Sequence, residues 1–357
     1  MKRLLFALII GLGMTLLVSA AGAQSEAKTG ERAGKKLVII DTDPGTDDAM
    51  AILLALNSPE LDVKAITVVP GNSTAKNVLE NALRIVSLAN RCDIPVAGGA
   101  TKPLFQELIT NDAVHGKNGL GGIELPPSRC KVDPRFGPDL IVDTVRAHPH
   151  ELTIVAIGPL TNLALALARD PALASLVKEV VIMGGSIDTG NSTPAAEANI
   201  FGDPEAAQIV FQAGWRLTMS PLGVGTKTVF TRKLLERLSE THGPENDFAV
   251  EVIRGVIPYG EKLGWGGMRM YDPTAMAEVI DPTLLQTEFW HVDVETRGEY
   301  TRGETVENRI NEVERRVWRG DHYVFEGFDP VTPNVHVGVG IDTDRFMEMF
   351  ISRISGR

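Results

Sequence analysis

Cysteine is nearly absent: Cys92 and Cys130 are the two among 357 residues. Two are too few for a disulfide scaffold, and the sequence leaves open whether they pair or stay free. No Cys/His spacing suggests a zinc site. Basic charge is in deficit, with 35 Lys and Arg against 46 Asp and Glu, a formal net charge of −11. That excess disfavours nucleic acid and anionic membrane as partners, and it is compatible with a neutral small molecule. Linkers rich in Ser and Gly, blocks of like charge and internal repeats are missing beyond the N-terminal segment. A hydrophobic content of 43%, with 35 glycines and 21 prolines, is ordinary globular composition, so one α/β domain is expected.

At the N-terminus, Lys2 and Arg3 precede an apolar stretch from Leu4 to Val18, and Ala21-Gly22-Ala23 supplies a small-residue cleavage site. The stretch is shorter than the ~20 residues a spanning helix needs. Residues 1–23 are therefore expected to be a cleaved signal peptide, 24–36 a polar, flexible lead-in, and 37–357 the folded domain of a periplasmic or secreted protein. No cysteine near the cleavage site provides for a lipid anchor. Cleavage would take Lys2 and Arg3 with it, leaving 33 basic and 46 acidic residues, a net of −13. No membrane contact is expected after that.

What the chain does have is an unusual turn. Asp41, Asp43, Asp47 and Asp48 put four carboxylates within eight residues. Before them, Leu37 to Ile40 is a continuous apolar run, as in a strand buried on both faces. After them, Ala49, Ile52, Leu53 and Leu56 fall at amphipathic-helix spacing. The acids thus sit at the carboxyl edge of a parallel sheet, where α/β proteins place ligands. Capping and the helix dipole explain Asp47 and Asp48, but not Asp41 and Asp43. Four repelling acids call for a counter-charge, and a hard divalent cation that takes carboxylate oxygens supplies it.

Along the chain, strand-like runs at 63–69, 152–157, 179–183 and 216–219 alternate with helical patterns at 75–89, 160–168 and 204–212. This alternation predicts an open, mostly parallel sheet flanked by helices. The second half is less regular, with a helical stretch at 247–263 and strands at 291–296 and 335–341. The heavily charged stretch 302–319 reads as a solvated hairpin or loop.

The acid turn resembles the N-terminal signature of the inosine–uridine-preferring nucleoside hydrolases. Further matches follow in that family's order: Val69-Pro70-Gly71-Asn72, His115-Gly116, Ile157 to Asn162, Met183-Gly184-Gly185, Asn191, Ala196 to Asn199, Asp203 to Ala207 and Tyr271-Asp272-Pro273. The similarity runs from about Leu37 to about Ile354, over nearly all the chain after the leader. It implies the nucleoside hydrolase fold in one catalytic domain, and hydrolysis of ribonucleosides to base and ribose in nucleoside salvage. It also implies a homodimer or homotetramer.

Carried over residue by residue, the resemblance makes Asp43 the general base. It gives Ca²⁺ the ligands Asp43, Asp48, the Ile157 backbone carbonyl and Asp272, an oxygen-only set suited to that ion. Asp47 is then expected on the ribose 2′-hydroxyl and Asn199 on the 3′-hydroxyl. Asn72 lies on the ribose side, and Asn191 and Glu197 reach the 5′ side. Glu197 and Asn199 alternate on what reads as an extended segment, so both can face one ligand. Asp41 is expected behind the ligands rather than among them, Asp203 to cap the next helix, and His115 to offer weak evidence for catalysis.

Two positions depart from the family pattern. Tyr271 stands where many members carry the histidine associated with protonating a leaving purine, and Ala198 replaces an aromatic residue. Both bear on base preference more than on ribose chemistry. Trp265 and Tyr259 could stack on a base or belong to the core. A binding protein without turnover is the first rival reading, disfavoured by the presence of Asp43, Asp48 and Asp272 together. A Mg²⁺-dependent phosphohydrolase ranks below it, because the matching motifs include no P-loop and no basic phosphate clamp.

Overall fold

Strand β1, Lys36–Thr42, is buried on both faces because alternate residues enter different cores. Val38 and Ile40 join an apolar cluster with the helices Thr46–Leu56, Pro244–Lys262, Tyr271–Ile280 and Thr343–Ser355. Ile39 joins the opposite cluster, with the helices Gly137–Ala147, Thr161–Arg169 and Pro204–Phe211. A run with no polar residue until Asp41 follows from this two-sided burial. The computed structural model of the protein describes residues 34–356. The signal-peptide reading over 1–23 and most of the lead-in lie outside the described residues. At its end the lead-in is shorter than expected, since Lys36 already pairs with Leu61.

The following strands are β2 (Leu61–Val68), β3 (Val96–Gly98), β4 (Val132–Asp133), β5 (Leu152–Ala156), β6 (Glu179–Met183) and β7 (Leu217–Ser220). In the ten-stranded sheet, β1 has β2, β3 and β4 on one side and β5, β6 and β7 on the other, all parallel. Beyond β7, Val335–Ile341 continues in parallel, and Leu285–Val294 and Thr305–Asn308 close that edge antiparallel. The mostly parallel sheet predicted from the alternation is the one observed. Chain direction reverses its progress between β1 and β5, and the crevice at such a switch point is where open α/β sheets bind ligands.

Several sequence-level elements fall within a few residues of the observed ones, and Glu179–Met183 and Val335–Ile341 coincide with them. The charged stretch 302–319 divides into two parts. Thr305–Asn308 joins the sheet edge, while Glu312–Trp318 pairs with Tyr323–Pro330 as an exposed hairpin. Cys92 and Cys130 form a disulfide, which resolves the question the sequence left open. Among the described residues no helix is long and apolar enough to cross a membrane.

Candidate active site

The acid turn delivers its side chains to the switch point. Helix Thr46–Leu56 starts at Gly45, and its first turn carries Asp47 and Asp48. Across the crevice, helix Tyr271–Ile280 carries Asp272 in its own first turn. Carboxylate oxygens of Asp47, Asp48 and Asp272 lie within 4.8 Å of one another, all buried. Two helix N-termini therefore converge on three acids, which is favourable for the dipoles, while the acids repel one another.

Asp43 adjoins this cluster from the end of β1. Its amide donates to Asp48 Oδ1 at 3.3 Å, and its Oδ2 accepts the Asn72 amide at 2.6 Å. Its Oδ1 is buried without a hydrogen-bond partner, a costly state for a carboxylate oxygen. That oxygen faces Gly158, where an added Cβ would stand 2.7 Å away. A side chain at Gly158 would thus fill the space beside it. The resemblance implied Asp43, Asp48, Ile157 and Asp272 as metal ligands; among the described residues the cluster of carboxylates holds Asp47 with Asp48 and Asp272, with Asp43 beside it.

Electrostatics mark the same residues. Burial raises Asp43 and Asp272 well above the ordinary carboxylate range, and neighbouring acids push them further. Asp47 is raised to about 8, first by burial and then by the Asp48 charge. The charged neighbours that shift these three are other carboxylates. Such a buried, uncompensated, oxygen-only group fits a hard divalent cation. It is less suited to a phosphate ester, which would add negative charge to it.

Asn72 braces the acids: besides its amide on Asp43, its Nδ2 donates to Asp48 Oδ2 at 2.8 Å. Asp48 also accepts from Thr42 Oγ1 and the Gly45 amide. His115 is buried against the turn, and its Nδ1 accepts the Thr46 amide at 3.1 Å. A backbone amide can only donate, so the ring proton sits on Nε2. Burial pushes this histidine down to about 4, and its Nδ1 lies 4.0 Å from Asp47 Oδ1. His115 is closer to the acids than its place in a glycine-rich loop suggested.

On the other side of the crevice, Asn199 Nδ2 reaches the carbonyls of Ile157 at 3.2 Å and Met183 at 3.0 Å. The Ile157 carbonyl thus meets Asn199. The segment differs in part from its sequence reading. Glu197 is extended, but Asn199 lies in the short helix Ala198–Gly202, which Glu197 caps by accepting the amides of Asn199, Ile200 and Gly185. Five residues are too few for a helical periodicity to be legible. Burial raises Glu197 to about 7 despite those amides. Asn191 Oδ1 accepts the Ala198 amide at 2.9 Å.

Asn191 and Tyr271 line one cavity of about 160 Å³, together with Ser186, Asp188 and Arg269. Arg269 Nη1 donates to the Tyr271 hydroxyl at 3.0 Å. The Arg269 guanidinium lies 4.0 Å from the Trp265 ring centroid, and Tyr259 meets Trp265 edge-on. A larger groove of about 610 Å³ opens at the antiparallel sheet edge, but none of the acids of the turn lines it.

Three residues acquire roles that sequence reasoning did not assign or only outlined. Asp41 is fully buried and accepts from Thr67 Oγ1 and Asn162 Nδ2. The resemblance left Asp41 out of the ligand set, and these two side chains are its partners. Asn162 also donates to the Val68 carbonyl and accepts the Ala100 amide, joining the ends of β1, β2 and β3. Asp203 caps helix Pro204–Phe211 as predicted and also accepts from Thr161 Oγ1 and the Leu104 amide.

The model of one family, described as inosine-uridine preferring nucleoside hydrolase, matches residues 38–348. The pyrimidine-specific ribonucleoside hydrolase RihA of Citrobacter koseri is 43% identical over 326 residues, covering 89% of this chain and 97% of that protein. Among solved structures, a plant nucleoside hydrolase aligns with a TM-score of 0.81 at 38% identity, over 90% of this chain and 99% of its own. A purine-preferring ribonucleoside hydrolase from Gardnerella vaginalis aligns with a TM-score of 0.81 at 33% identity, over 90% and 98%.

Proposed function

We propose, from the premise that this chain belongs to the inosine-uridine preferring nucleoside hydrolase family, that it is an exported, Ca²⁺-dependent ribonucleoside hydrolase that favours pyrimidine bases. The observation that carries the reading is Asp43 Oδ1, buried and unpartnered at the sheet switch point beside three clustered carboxylates. Asp43, Asp48, Asp272 and the Ile157 carbonyl would hold the cation, with Asp47 beside them. When bound, the ion supplies compensating charge and makes a nearby water more acidic.

The chain's own residues then divide the work. Water attacks the anomeric carbon as the bond to the base nitrogen breaks, and Asp43 Oδ1 accepts the water proton. Asp47 and Asn199 hold the ribose hydroxyls, so that binding energy orients and distorts the sugar toward an oxocarbenium-like state. Asn72 keeps Asp43 and Asp48 apart and aimed. The electrons of the broken bond go to the departing base, and Tyr271, lining the adjoining cavity, gives it a proton.

Three observations support the finer points. Sequence identity of 42–43% to pyrimidine-specific relatives favours uridine and cytidine over purine nucleosides. A cavity of about 160 Å³ suits a small base. The Cys92–Cys130 disulfide agrees with an oxidising compartment, and hence with export after removal of a leader at 1–23. The proposal includes assembly as a homodimer or homotetramer, which the family resemblance implies.

The test is a panel of uridine, cytidine, inosine and adenosine, followed for free base and free ribose, with chelator or added Ca²⁺. Stoichiometric release of both products, fastest for the pyrimidines and lost on chelation, is expected. Nucleoside binding by calorimetry with no ribose released would establish the binding-protein reading instead.

A further inference from the structure

Tyr271 does not act alone. Its ring lies against Gly225, where an added Cβ would collide with the ring edge. Its hydroxyl accepts a hydrogen bond from Arg269 Nη1 at 3.0 Å. A guanidinium offers donors and no acceptor. The phenolic oxygen therefore uses a lone pair on Arg269, and its own proton must point elsewhere. Tyr271 and Arg269 both line the cavity of about 160 Å³ that also holds Asn191 and Asp188.

Arg269 is itself fixed on three sides. It pairs with Val229 in the short antiparallel ribbon Val229–Phe230 and Met268–Arg269. Its guanidinium is stacked 4.0 Å from the Trp265 ring, a cation–π contact, and Tyr259 supports Trp265 edge-on at 5.7 Å. Arg269 Nε is buried without a hydrogen-bond partner. Burying an unmatched donor is costly. A guanidinium held in this way is kept in place by its stack and by what its outer nitrogens do.

We infer that Arg269, held by Trp265, is a positioning residue for the leaving-group step: by donating to the Tyr271 oxygen it turns the tyrosine proton into the cavity where the base departs. The inference rests on the leaving-group role proposed above for Tyr271. It gives Trp265 a task at one remove from the base, in place of stacking on it. It also accounts for a tyrosine working where many relatives place a histidine. A phenol rotates its proton freely, whereas an imidazole N–H direction is fixed by the ring, so a tyrosine donor gains from a partner that occupies its lone pair.

The test compares kcat/KM of the full-length protein on uridine, whose base leaves poorly, and on a nitrophenyl riboside, whose leaving group needs no proton. The variants are Arg269→Met, Arg269→Lys, Tyr271→Phe and the Arg269→Met/Tyr271→Phe pair. General-acid catalysis is worth ~10²–10⁴-fold, and losing only its orientation should forfeit ~10–100-fold of that. The loss is expected on uridine, in kcat rather than KM, with the nitrophenyl riboside changed by less than about threefold. Arg269→Lys should recover most of it, and Arg269→Met should add nothing in the Tyr271→Phe background. Equal losses on both substrates, or a full further loss in that background, would overturn the inference. If Tyr271→Phe itself harms both substrates equally, the acid assignment falls and takes the inference with it. If Tyr271→Phe is selective and Arg269→Met is not, the role of Arg269 alone falls. Should Arg269→Met fail to fold, Trp265→Leu removes the stack and keeps the charge. A smaller uridine-selective loss is expected there, and its absence counts against the inference.

Discussion

Stripping divalent metal from this protein should weaken its fold more at alkaline than at acidic pH, and Ca²⁺ should reverse the loss in proportion. The reason is the direction in which the clustered acids are shifted. Asp43 and Asp272 are raised well above the ordinary range, and Asp47 is raised to about 8. In the unfolded chain the same carboxyls titrate near 3.8. Between these limits the folded protein binds more protons than the unfolded one, so unfolding becomes easier as pH rises. The stability these protons contribute is complete below about pH 4 and is lost as pH climbs to about 8.

One pKa unit corresponds to about 1.4 kcal/mol, so the shift of Asp47 alone is on the order of 5 kcal/mol. The three acids are too tightly linked for their shifts to add. A bound cation removes the repulsion, and at one hundred times its dissociation constant it adds about 3 kcal/mol. For a protein of this size that is a rise in Tm of about 5 °C. The assay is thermal unfolding at about pH 5 and about pH 8, in chelator, in Ca²⁺ and in Mg²⁺. The Ca²⁺ shift should be several degrees at the higher pH and less than half as large at the lower, where protons compete for the same oxygens. Mg²⁺ should do less, because it demands a stricter geometry. A metal-free protein that gains stability between the two pH values, or an equal Ca²⁺ shift at both, would refute the reasoning.

Two further outcomes follow from single residues. Asp43→Asn should lower kcat on uridine by ~10²–10⁴-fold, the usual weight of a general base, while Tm stays within a few degrees; activity within tenfold of wild type would remove Asp43 from that role. Replacing Cys92 and Cys130 by serine opens a cross-link spanning a sequence separation of 38. By the chain-entropy relation this should cost about 4 kcal/mol, measured as a lower denaturation midpoint that reductant does not lower further.

The parts of the site carried by local pattern were legible in the sequence. A strand with no polar residue, then four acids, then helix spacing can be read from Leu37 to Leu56 alone. Asp41 and Asp43 share a strand parity, which put them on one face; the resemblance, by leaving Asp41 out of the ligand set, put it behind the site. The partners of Asp41 were not legible. Asn162 lies 121 residues from Asp41, and no local rule links them. Asp272 reached the candidate list through the resemblance, since an acid one residue into a helix is ordinary by itself. Glu197 marks another limit. That its carboxylate caps a five-residue helix through three backbone amides could not be read from the sequence, because so short a helix leaves no periodicity. Trp265 read as either a base stacker or a core residue, and its contact with Arg269 fits neither.

The two halves of the crevice are built differently, and the difference bears on what can vary. The acids stand at the end of a strand buried on both faces and on the first turns of two helices buried in one core, where a shift in position would disturb close packing. The cavity beside Tyr271 rests on smaller parts: a ribbon of two two-residue strands, a four-residue helix at Leu222–Gly225, and the turn from Ser186 to Asn191. Exchanging residues there, as with Arg269, need not disturb the acids. Relatives at 43% and 33% identity are described as pyrimidine-specific and purine-preferring. Their fold is shared, so the change in base must be sought where the scaffold is least constrained. In this chain that leads to the cavity beside Tyr271, and to the arginine that holds its hydroxyl.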